Sequence, residues 1–330
     1  MGNVTATYKC DNDRELPHKE LYKFYAAVMI IIFILALPLN ASVLHLFIFK
    51  LKFWKSKSNH FFLFNLVLAD ILLLICMPVK VHNFIQEQRY THMIISKAVL
   101  FTLFLNRGAS IAFLTVISID RYFKVVHPGQ KGILKMLKKA PQISIMIWVL
   151  LLPLTIPSML KSIHCSSLDS ERYTLITDVV DGIRETVIFT QIFIPFFILV
   201  YCTACIVKRL KTKTVGDEKK LKRAVFVVIT VMVVFSFCFL PGAIARMVLV
   251  IIRVQEKSDT IQDKAGVAFD GFMVLSYIDC LLDPLVYCFC SSKFKALYLS
   301  SYFPFLLKGA PQATDPSTGT PPQPARSTVI

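Results

Sequence analysis

Arg107 carries the clearest chemical signal in the sequence, because it stands mid-way along a mostly apolar run, residues 94–126, that is long enough to cross a bilayer. Placing a guanidinium near the bilayer centre costs at least about 2.5 to 3.5 kcal/mol, so such arginines usually face a bundle interior, a water-filled cavity or a counter-ion. A guanidinium can hold a carboxylate through two parallel hydrogen bonds. Arg107 therefore indicates either an anion site inside a helix bundle or a structural ion pair with an internal carboxylate.

Three carboxylates also fall in the central parts of apolar runs, at Asp70, Asp279 and Asp283. Carboxylates that share one apolar cavity repel one another, so either a cation is held among them or one carboxyl group keeps its proton. Oxygen ligands suit small hard cations. The sequence leaves both alternatives open.

Seven apolar segments, each about as long as a transmembrane helix must be, have to position these charges. Hydrophobic residues make up 55% of the chain and charged residues only 18%, against roughly 25% charged residues in soluble domains. The predicted fold class is therefore an all-α membrane protein, a bundle of seven transmembrane helices. The segments run approximately over residues 24–49, 59–79, 93–123, 143–160, 186–207, 224–252 and 267–290.

Lysines and arginines concentrate in alternate connections between these segments, at residues 50–57, 124–139 and 208–223. Cytoplasmic loops carry such an excess, which predicts an extracellular N-terminus and a cytoplasmic C-terminus. The net charge of +16 is thus a topology signal and gives no case for nucleic acid. The predicted regions are an extracellular N-terminus with a glycosylation sequon at Asn3 (1–22), a membrane domain (23–308) and a disordered cytoplasmic tail (309–330).

One motif in each segment, in the same order along the chain, resembles the rhodopsin-like (class A) G-protein-coupled receptors. The motifs are Asn40, Leu66 to Asp70, Asp120-Arg121-Tyr122, Trp148, Pro195, Cys238 to Pro241 and Asp283 to Tyr287. Residues 104–110, 113–115, 120–128 and 285–292 are similar to the hydroxycarboxylic acid and oxoeicosanoid receptor subfamily. The resemblance covers roughly residues 20–305 and implies a plasma-membrane receptor that lowers cyclic AMP through an inhibitory heterotrimeric G protein.

The resemblance implies that Arg107 holds the carboxylate of a small carboxylic acid or an oxidised fatty acid. Tyr277 and Ser167 could each donate a hydroxyl to the same carboxylate. Lys80 stands where relatives carry an apolar residue, and it either adds a second cation to the outer pocket or extends to the outer interface. Further positions that match the subfamily's pocket are Leu103, Asn83, Ser166, Phe269 and Arg246.

A conformational switch in the cytoplasmic half of the bundle is also implied by the resemblance. Pro195 and Pro241 each remove a backbone donor, so they are predicted to kink their helices and let them pivot. The opened face would accept the terminal helix of the G protein, and the tail would offer phosphoacceptors to a receptor kinase and arrestin. The switch residues are Asp120, Arg121, Tyr122, Phe239, Pro241, Asp283, Pro284 and Tyr287.

The carboxylates acquire a specific interpretation from the same resemblance. It places Ser110 beside Asp70, Asp279 and Asp283, in a region that holds a sodium ion in many rhodopsin-like receptors. Relatives carry an asparagine at the position of Asp279, so this chain has one carboxylate more. No cofactor other than such an ion is expected.

The cysteines depart from the family pattern. Ser96 stands where the family keeps a cysteine bridged to the second extracellular loop. Of the nine cysteines, only Cys10 and Cys165 are clearly extracellular, which predicts a bond between them in an oxidising compartment. The alternative is two free thiols and a looser extracellular lid.

A short amphipathic eighth helix is predicted after the seventh segment, over residues 293–307. It would lie on the lipid of the inner leaflet, with Phe294, Leu297 and Leu299 facing the membrane.

Three other functions compete with a ligand-activated receptor. An enzyme is disfavoured, because the sequence has no His-Glu-x-x-His, Gly-x-Ser-x-Gly or phosphate-loop motif. A carboxylate transporter would also use Arg107, but transporters commonly show internal repeats, and no repeat is present. A constitutively active or orphan receptor is favoured only by the missing bridge at Ser96.

Overall fold

The computed structural model describes residues 18–51, 58–86, 93–130, 139–160, 170–212, 218–255, 258–290 and 292–302, together with residues 132, 135 and 137. Over these residues the chain is almost entirely helical and contains no strand, which confirms the predicted fold class. Several predicted positions lie outside the described residues: Asn3, Cys10, Cys165, Ser166, Ser167 and the cytoplasmic tail.

Each predicted apolar segment corresponds to one helical stretch. Six of the described stretches are long and apolar enough to cross a membrane. The remaining segment is a shorter apolar helix over Ala140–Ile156. A π-helical turn, Leu46–Lys50, extends the first helix. The helices are α1 (Lys19–His45), α2 (Ser58–Ile85), α3 (Met93–Val125), α4 (Ala140–Leu160), α5 (Ser170–Thr212), α6 (Glu218–Cys238), α7 (Leu240–Val254), α8 (Asp259–Ser276), α9 (Asp279–Cys290) and α10 (Ser292–Tyr302).

The sixth and seventh segments are each divided into two helices. The sixth breaks at Phe239, between α6 and α7, where Pro241 occupies the first turn of α7 and has no N–H to donate. The seventh breaks between α8 and α9, and Asp279 begins α9 by accepting the Cys280 N–H at 2.8 Å. The fifth helix, α5, runs through Pro195 without interruption.

The bundle interior is packed with large apolar side chains, while many others face outward. Phe62, Phe235 and Tyr287 are fully buried between the helices. Phe197 and Ile31 are more than half exposed, as expected for side chains that meet lipid. Because hydrocarbon solvates such residues, close packing and interhelical hydrogen bonds must hold the helices together.

The eighth helix, α10, is present, but the expectation that Phe294 faces lipid is wrong. Its ring is fully buried and stacks on Phe47, with the ring centroids 5.2 Å apart. The hydroxyl of Tyr298 lies 3.2 Å from Oγ of Ser42, which ties α10 to α1. An apolar helix face can pack equally well on lipid or on protein, so the sequence pattern alone does not decide between them.

Trp148→Phe is expected to loosen the contact between α4 and α2. The indole Nε1 donates to Oδ1 of Asn65 at 2.9 Å, and phenylalanine keeps the ring beside Phe113 but removes this donor. Interhelical hydrogen bonds in membranes contribute about 0.6 to 1.7 kcal/mol, so the unfolding temperature in detergent should fall by a few degrees. Val149→Ala, which alters a lipid-exposed neighbour, is the control. An unchanged unfolding temperature for Trp148→Phe would mean that Asn65 finds another donor.

Candidate functional site

Arg107 lies in α3 and extends between the start of α7 and the C-terminal part of α8, and only 7% of the residue is exposed. Its Nη2 donates to the carbonyl oxygen of Phe239 at 3.1 Å, and its Nη1 donates to Sδ of Met273 at 3.1 Å. The buried Nε has no hydrogen-bond partner. A thioether is a weak acceptor, so much of the donor capacity of this guanidinium remains available to an anion.

The alternative of a structural ion pair is not found at Arg107. No Asp or Glu among the described residues lies within salt-bridge distance of the guanidinium. Asp279 attracts it electrostatically without a direct contact, and the ring of Phe239 lies 5.7 Å from the guanidinium carbon. The buried cation is therefore held by a ring, a carbonyl and a more distant carboxylate.

Gly242 allows this close approach between Arg107 and α7. A Cβ added at Gly242 would lie 2.8 Å from Nη2 of Arg107, closer than real Cβ atoms come to other heavy atoms. An alanine at this position would therefore displace the guanidinium of Arg107 from α7. Sequence reasoning missed Gly242, although a glycine directly after Pro241 inside an apolar helix was a usable signal.

Two further predicted pocket residues lie near Arg107. Leu103, one turn earlier in α3, and Tyr277, which follows α8, are both buried in the same apolar cluster as Met273. The phenol of Tyr277 is close enough to Arg107 to interact with it electrostatically. The structure thus groups an arginine, a phenol and apolar side chains, which together suit a carboxylate with an apolar substituent.

Arg246 and Phe269 form a second group, nearer the connection between α7 and α8. Arg246 in α7 donates Nε to Oε2 of Glu185 at 2.9 Å and Nη2 to Oε1 of the same carboxylate, which joins α7 to α5. Arg184 also donates to that carboxylate at 2.7 Å. The guanidinium of Arg246 lies 5.3 Å from the ring centroid of Phe269. The predicted ligand residue Arg246 thus already has an acidic partner, and sequence reasoning did not identify Glu185.

Lys80 and Asn83 lie near the C-terminal end of α2. The ammonium of Lys80 is 4.5 Å from the ring centroid of Phe84, and the side chain of Asn83 is buried. A cation above an aromatic face is stabilised there by about 0.5 to 2 kcal/mol. The role of both residues in binding a ligand stays a prediction.

The carboxylates in the bundle interior differ in their hydrogen bonding. Asp70 accepts from Nδ2 of Asn106 at 3.4 Å and from the hydroxyl of Tyr287 at 3.4 Å. Both oxygens of Asp283 and Oγ of Ser110 are buried, and no donor group hydrogen bonds to them. Asp283 lies close enough to Asp70 for a hydrogen bond between the two carboxyl groups when one of them is protonated.

Asp279 instead uses one oxygen to begin α9. Among the described residues no three acidic, cysteine or histidine side chains converge as a metal site built from them would require. A cation here would therefore depend on the two aspartates Asp70 and Asp283 together with the serine hydroxyl of Ser110.

The predicted switch residues of α3 lie at its C-terminal end. Asp120 accepts from Nζ of Lys124 at 2.6 Å, and the hydroxyl of Tyr122 lies 3.1 Å from Nε2 of His127. The ring of Tyr122 packs 5.8 Å from that of Tyr201 in α5. Their role in coupling to a G protein, like that of Arg121, stays a prediction.

The other predicted switch residues lie at the break between α6 and α7 or within α9, which follows the second break. Phe239 is the break itself, and its carbonyl joins the break to Arg107. Pro284 lies within α9, and Tyr287 one turn further on is fully buried. The Arg107 site is therefore in direct contact with the break in the sixth segment.

Sequence reasoning also passed over a Cys-x-x-Cys pair, Cys202 and Cys205. Both lie one turn apart in α5, and both are free thiols. Cys202 packs in an apolar cluster with Tyr122 and Ile206, which is the environment of a packing residue.

Comparison with known proteins gives a consistent result. The sequence profile described as 7 transmembrane receptor (rhodopsin family) matches residues 39–287. The chain is 33% identical over 273 residues to hydroxycarboxylic acid receptor 2 of Homo sapiens, covering 79% of this chain and 73% of that protein. It is 32% identical over 275 residues to the 12-(S)-hydroxy-5,8,10,14-eicosatetraenoic acid receptor of Mus musculus, covering 80% and 84%. With hydroxycarboxylic acid receptor 1 of Mus musculus it shares 30% identity over 274 residues, covering 82% and 78%.

Proposed function

The chain belongs to the rhodopsin family of seven-transmembrane receptors, and from this premise we propose that its ligand is a carboxylic acid held by Arg107. As a G-protein-coupled receptor it is a multi-pass membrane protein and not an enzyme. The similar proteins are named for hydroxycarboxylic acids and for a hydroxyeicosatetraenoic acid, and each of these ligands is an acid. The proposed ligand class is therefore a small carboxylic acid or an oxidised fatty acid.

The observation that carries this proposal is the state of the Arg107 side chain. It is almost fully buried, it pairs with no carboxylate among the described residues, and its Nε lacks a partner. A ligand carboxylate would supply the two-pronged acceptor that the guanidinium lacks. The phenol of Tyr277 would add a further donor to the same group.

Binding at Arg107 would act directly on the break in the sixth segment. A carboxylate that engages Nη2 competes with the carbonyl of Phe239, to which this nitrogen now donates. Release of that carbonyl removes one of the contacts that hold α7 against α3. The ligand would thereby favour a different arrangement of α6 and α7, since it binds the two arrangements with different affinity.

The signalling partners are proposed on the family resemblance. The receptor lies in the plasma membrane with its N-terminus outside, couples to an inhibitory heterotrimeric G protein and lowers cyclic AMP. A receptor kinase and arrestin act on its tail. The alternative of a carboxylate transporter predicts uptake of a labelled acid into vesicles that contain the purified protein, whereas a receptor gives none.

We also propose that a sodium ion binds between Asp70 and Asp283. The oxygens of Asp283 and Ser110 receive no hydrogen bond from a donor group, and Asp283 lies beside Asp70, so a cation between the two carboxylates is the alternative to a proton that they share. Asp279 would contribute by its charge, since it interacts electrostatically with both other carboxylates. The ion would neutralise the carboxylates and favour the inactive arrangement of the bundle.

Gly242→Ala is expected to weaken the response to the cognate acid by about tenfold or more. The added methyl group would lie 2.8 Å from Nη2 of Arg107 and push the guanidinium away from α7. Gly182→Ala is the matched control, because a Cβ at that glycine meets no atom within 4 Å. Dose–response curves that are equally unaffected in both variants would show that Arg107 does not bind the acid from its position against α7.

A screen of acids of different chain length tests the proposed function most directly. Cells that express the receptor would be given short hydroxy acids and long hydroxy or oxo fatty acids, and cyclic AMP would be measured with and without a toxin that inactivates inhibitory G proteins. A toxin-sensitive fall in cyclic AMP with at least one acid is expected. A response only to amines or neutral compounds would refute the carboxylate ligand.

A further inference from the structure

An apolar groove opens between α7 and α8 on the lateral surface of the bundle, which faces the lipid. It has a volume of about 410 Å³, and it exists because Ala245, Ala265 and Ala268 leave space between the two helices. At its rim Ile244 is 46% exposed and Phe272 is 40% exposed. We call this cavity the α7–α8 groove.

The α7–α8 groove lies within two membrane-crossing stretches, Leu221–Val254 and Thr260–Phe289. The medium that meets its rim is therefore the hydrocarbon of the bilayer. Because its lining is apolar apart from Ser236, a hydrocarbon chain can enter it without losing contact with an apolar environment.

A thin wall separates the α7–α8 groove from Arg107. On α7, Pro241 lines the groove while the next residue, Gly242, has no side chain and touches Arg107. On α8, Phe272 lines the groove while the next residue, Met273, accepts from Nη1 of Arg107. The wall therefore consists of a glycine and of a methionine, whose unbranched side chain adapts readily.

The two sides of this wall carry complementary chemistry. On the inner side is a buried guanidinium whose Nε has no partner. On the outer side is an apolar cavity open to lipid. One molecule satisfies both sides if it has a carboxylate at one end and a hydrocarbon chain at the other.

We propose that the α7–α8 groove binds the hydrocarbon chain of a long-chain carboxylic acid that enters from the bilayer. The carboxylate passes between Gly242 and Met273 to reach Arg107, and it displaces the thioether of Met273 from Nη1. This inference rests on the proposed function, and it deepens it by selecting fatty acids over short acids, which would leave the groove empty.

Photolabelling of the full-length receptor in lipid nanodiscs tests the route. The probe is a long-chain fatty acid with a diazirine near its methyl end, and a long-chain alkane with the same diazirine is the reference. The expected result is labelling by the acid of the α8 peptide that contains Ala265, Ala268 and Phe272.

Two substitutions fill the groove without altering Arg107. Ala268→Phe and Ala265→Leu are each expected to reduce labelling by the acid by about tenfold, equivalent to about 1.4 kcal/mol of binding free energy. Val233→Phe, which introduces the same aromatic side chain on the lipid-exposed side of α6, should leave labelling unchanged. Arg107→Gln should reduce labelling by the acid as strongly as Ala268→Phe and should not alter labelling by the alkane.

The location of the label in the unmodified receptor decides the question even if a substituted receptor folds poorly. Labelling of α8 that is equal for acid and alkane, or equal with and without Arg107, would overturn the proposal and make the groove a general lipid contact. Arg107-dependent labelling of extracellular loops instead of α8 would also overturn it while leaving the proposed function intact. Absence of any Arg107-dependent binding, for acids of every length, would refute the proposed function itself.

Discussion

Arg107→Ala abolishes the response to the cognate acid, while the receptor still reaches the cell surface. Removing one partner of a buried, hydrogen-bonded charge pair costs about 2 to 5 kcal/mol, which is a loss of roughly thirtyfold to several thousandfold in affinity. The fold should survive, because in the ligand-free structure the guanidinium donates only to a carbonyl and a thioether. Cyclic AMP assays, with surface expression measured by antibody labelling of an N-terminal tag, provide the test.

Two companion substitutions make this prediction specific. Arg107→Lys should recover little of the response, because an ammonium is a point charge and does not reproduce the two-pronged geometry. Arg253→Ala, at the exposed end of α7, should leave the dose–response curve of the parent unchanged. If Arg107→Ala behaves like Arg253→Ala, the carboxylate is bound elsewhere.

Asp283→Asn removes the effect of sodium on agonist binding. In the parent receptor, raising sodium at constant ionic strength should lower agonist affinity, since the ion favours the inactive bundle. Asp283 receives no hydrogen bond from a donor group and lies beside Asp70, so a bound cation would stabilise this carboxylate, and its amide should hold the ion poorly. Agonist competition binding, titrated with sodium chloride against an organic cation as replacement, measures the shift.

Asp279→Asn distinguishes a ligand of the ion from a distant charge. It should retain the sodium effect but move it to higher concentration, because two carboxylates remain and the attraction on the ion is weaker. Should parent and Asp279→Asn give the same titration, Asp279 does not contribute to the cation site and serves to begin α9. A sodium effect in Asp283→Asn as large as in the parent would exclude the proposed cage.

The positions predicted from sequence are those whose chemistry conflicts with an apolar environment. Arg107 and the three aspartates stand out in a membrane segment whatever the packing, so their burial could be anticipated. Gly242, Met273 and Glu185 could not be found in this way, because their importance depends on which helix faces meet. A methionine in an apolar segment is ordinary until a neighbouring helix brings a guanidinium to its sulfur.

Helix breaks show the same limit. Pro241 lies at the break in the sixth segment, whereas Pro195, which has the same missing N–H, lies within the uninterrupted helix α5. A proline in an apolar segment therefore does not by itself decide whether the helix divides. The break between α8 and α9 has no such residue at its position, and Asp279, which begins α9, was interpreted only as a charge. The sequence likewise indicated that Phe294 belongs to an apolar helix face. It did not indicate that this face packs on Phe47.

Because the sixth segment is divided at Phe239, α6 can rotate about this residue as a rigid helix. The helix that follows it, α7, is held at two points. Arg246 joins it to Glu185 in α5, and the Phe239 carbonyl joins its start to Arg107 in α3. On the other side of Phe239, α6 is 21 residues long, or about 31 Å at the helical rise. A turn of about 10° at Phe239 therefore carries the Glu218 end through about 5 Å, the height of one helical turn. Loss of the hydrogen bond between Arg107 and the Phe239 carbonyl would therefore allow a displacement of α6 large enough to open a cleft at the opposite end of the bundle.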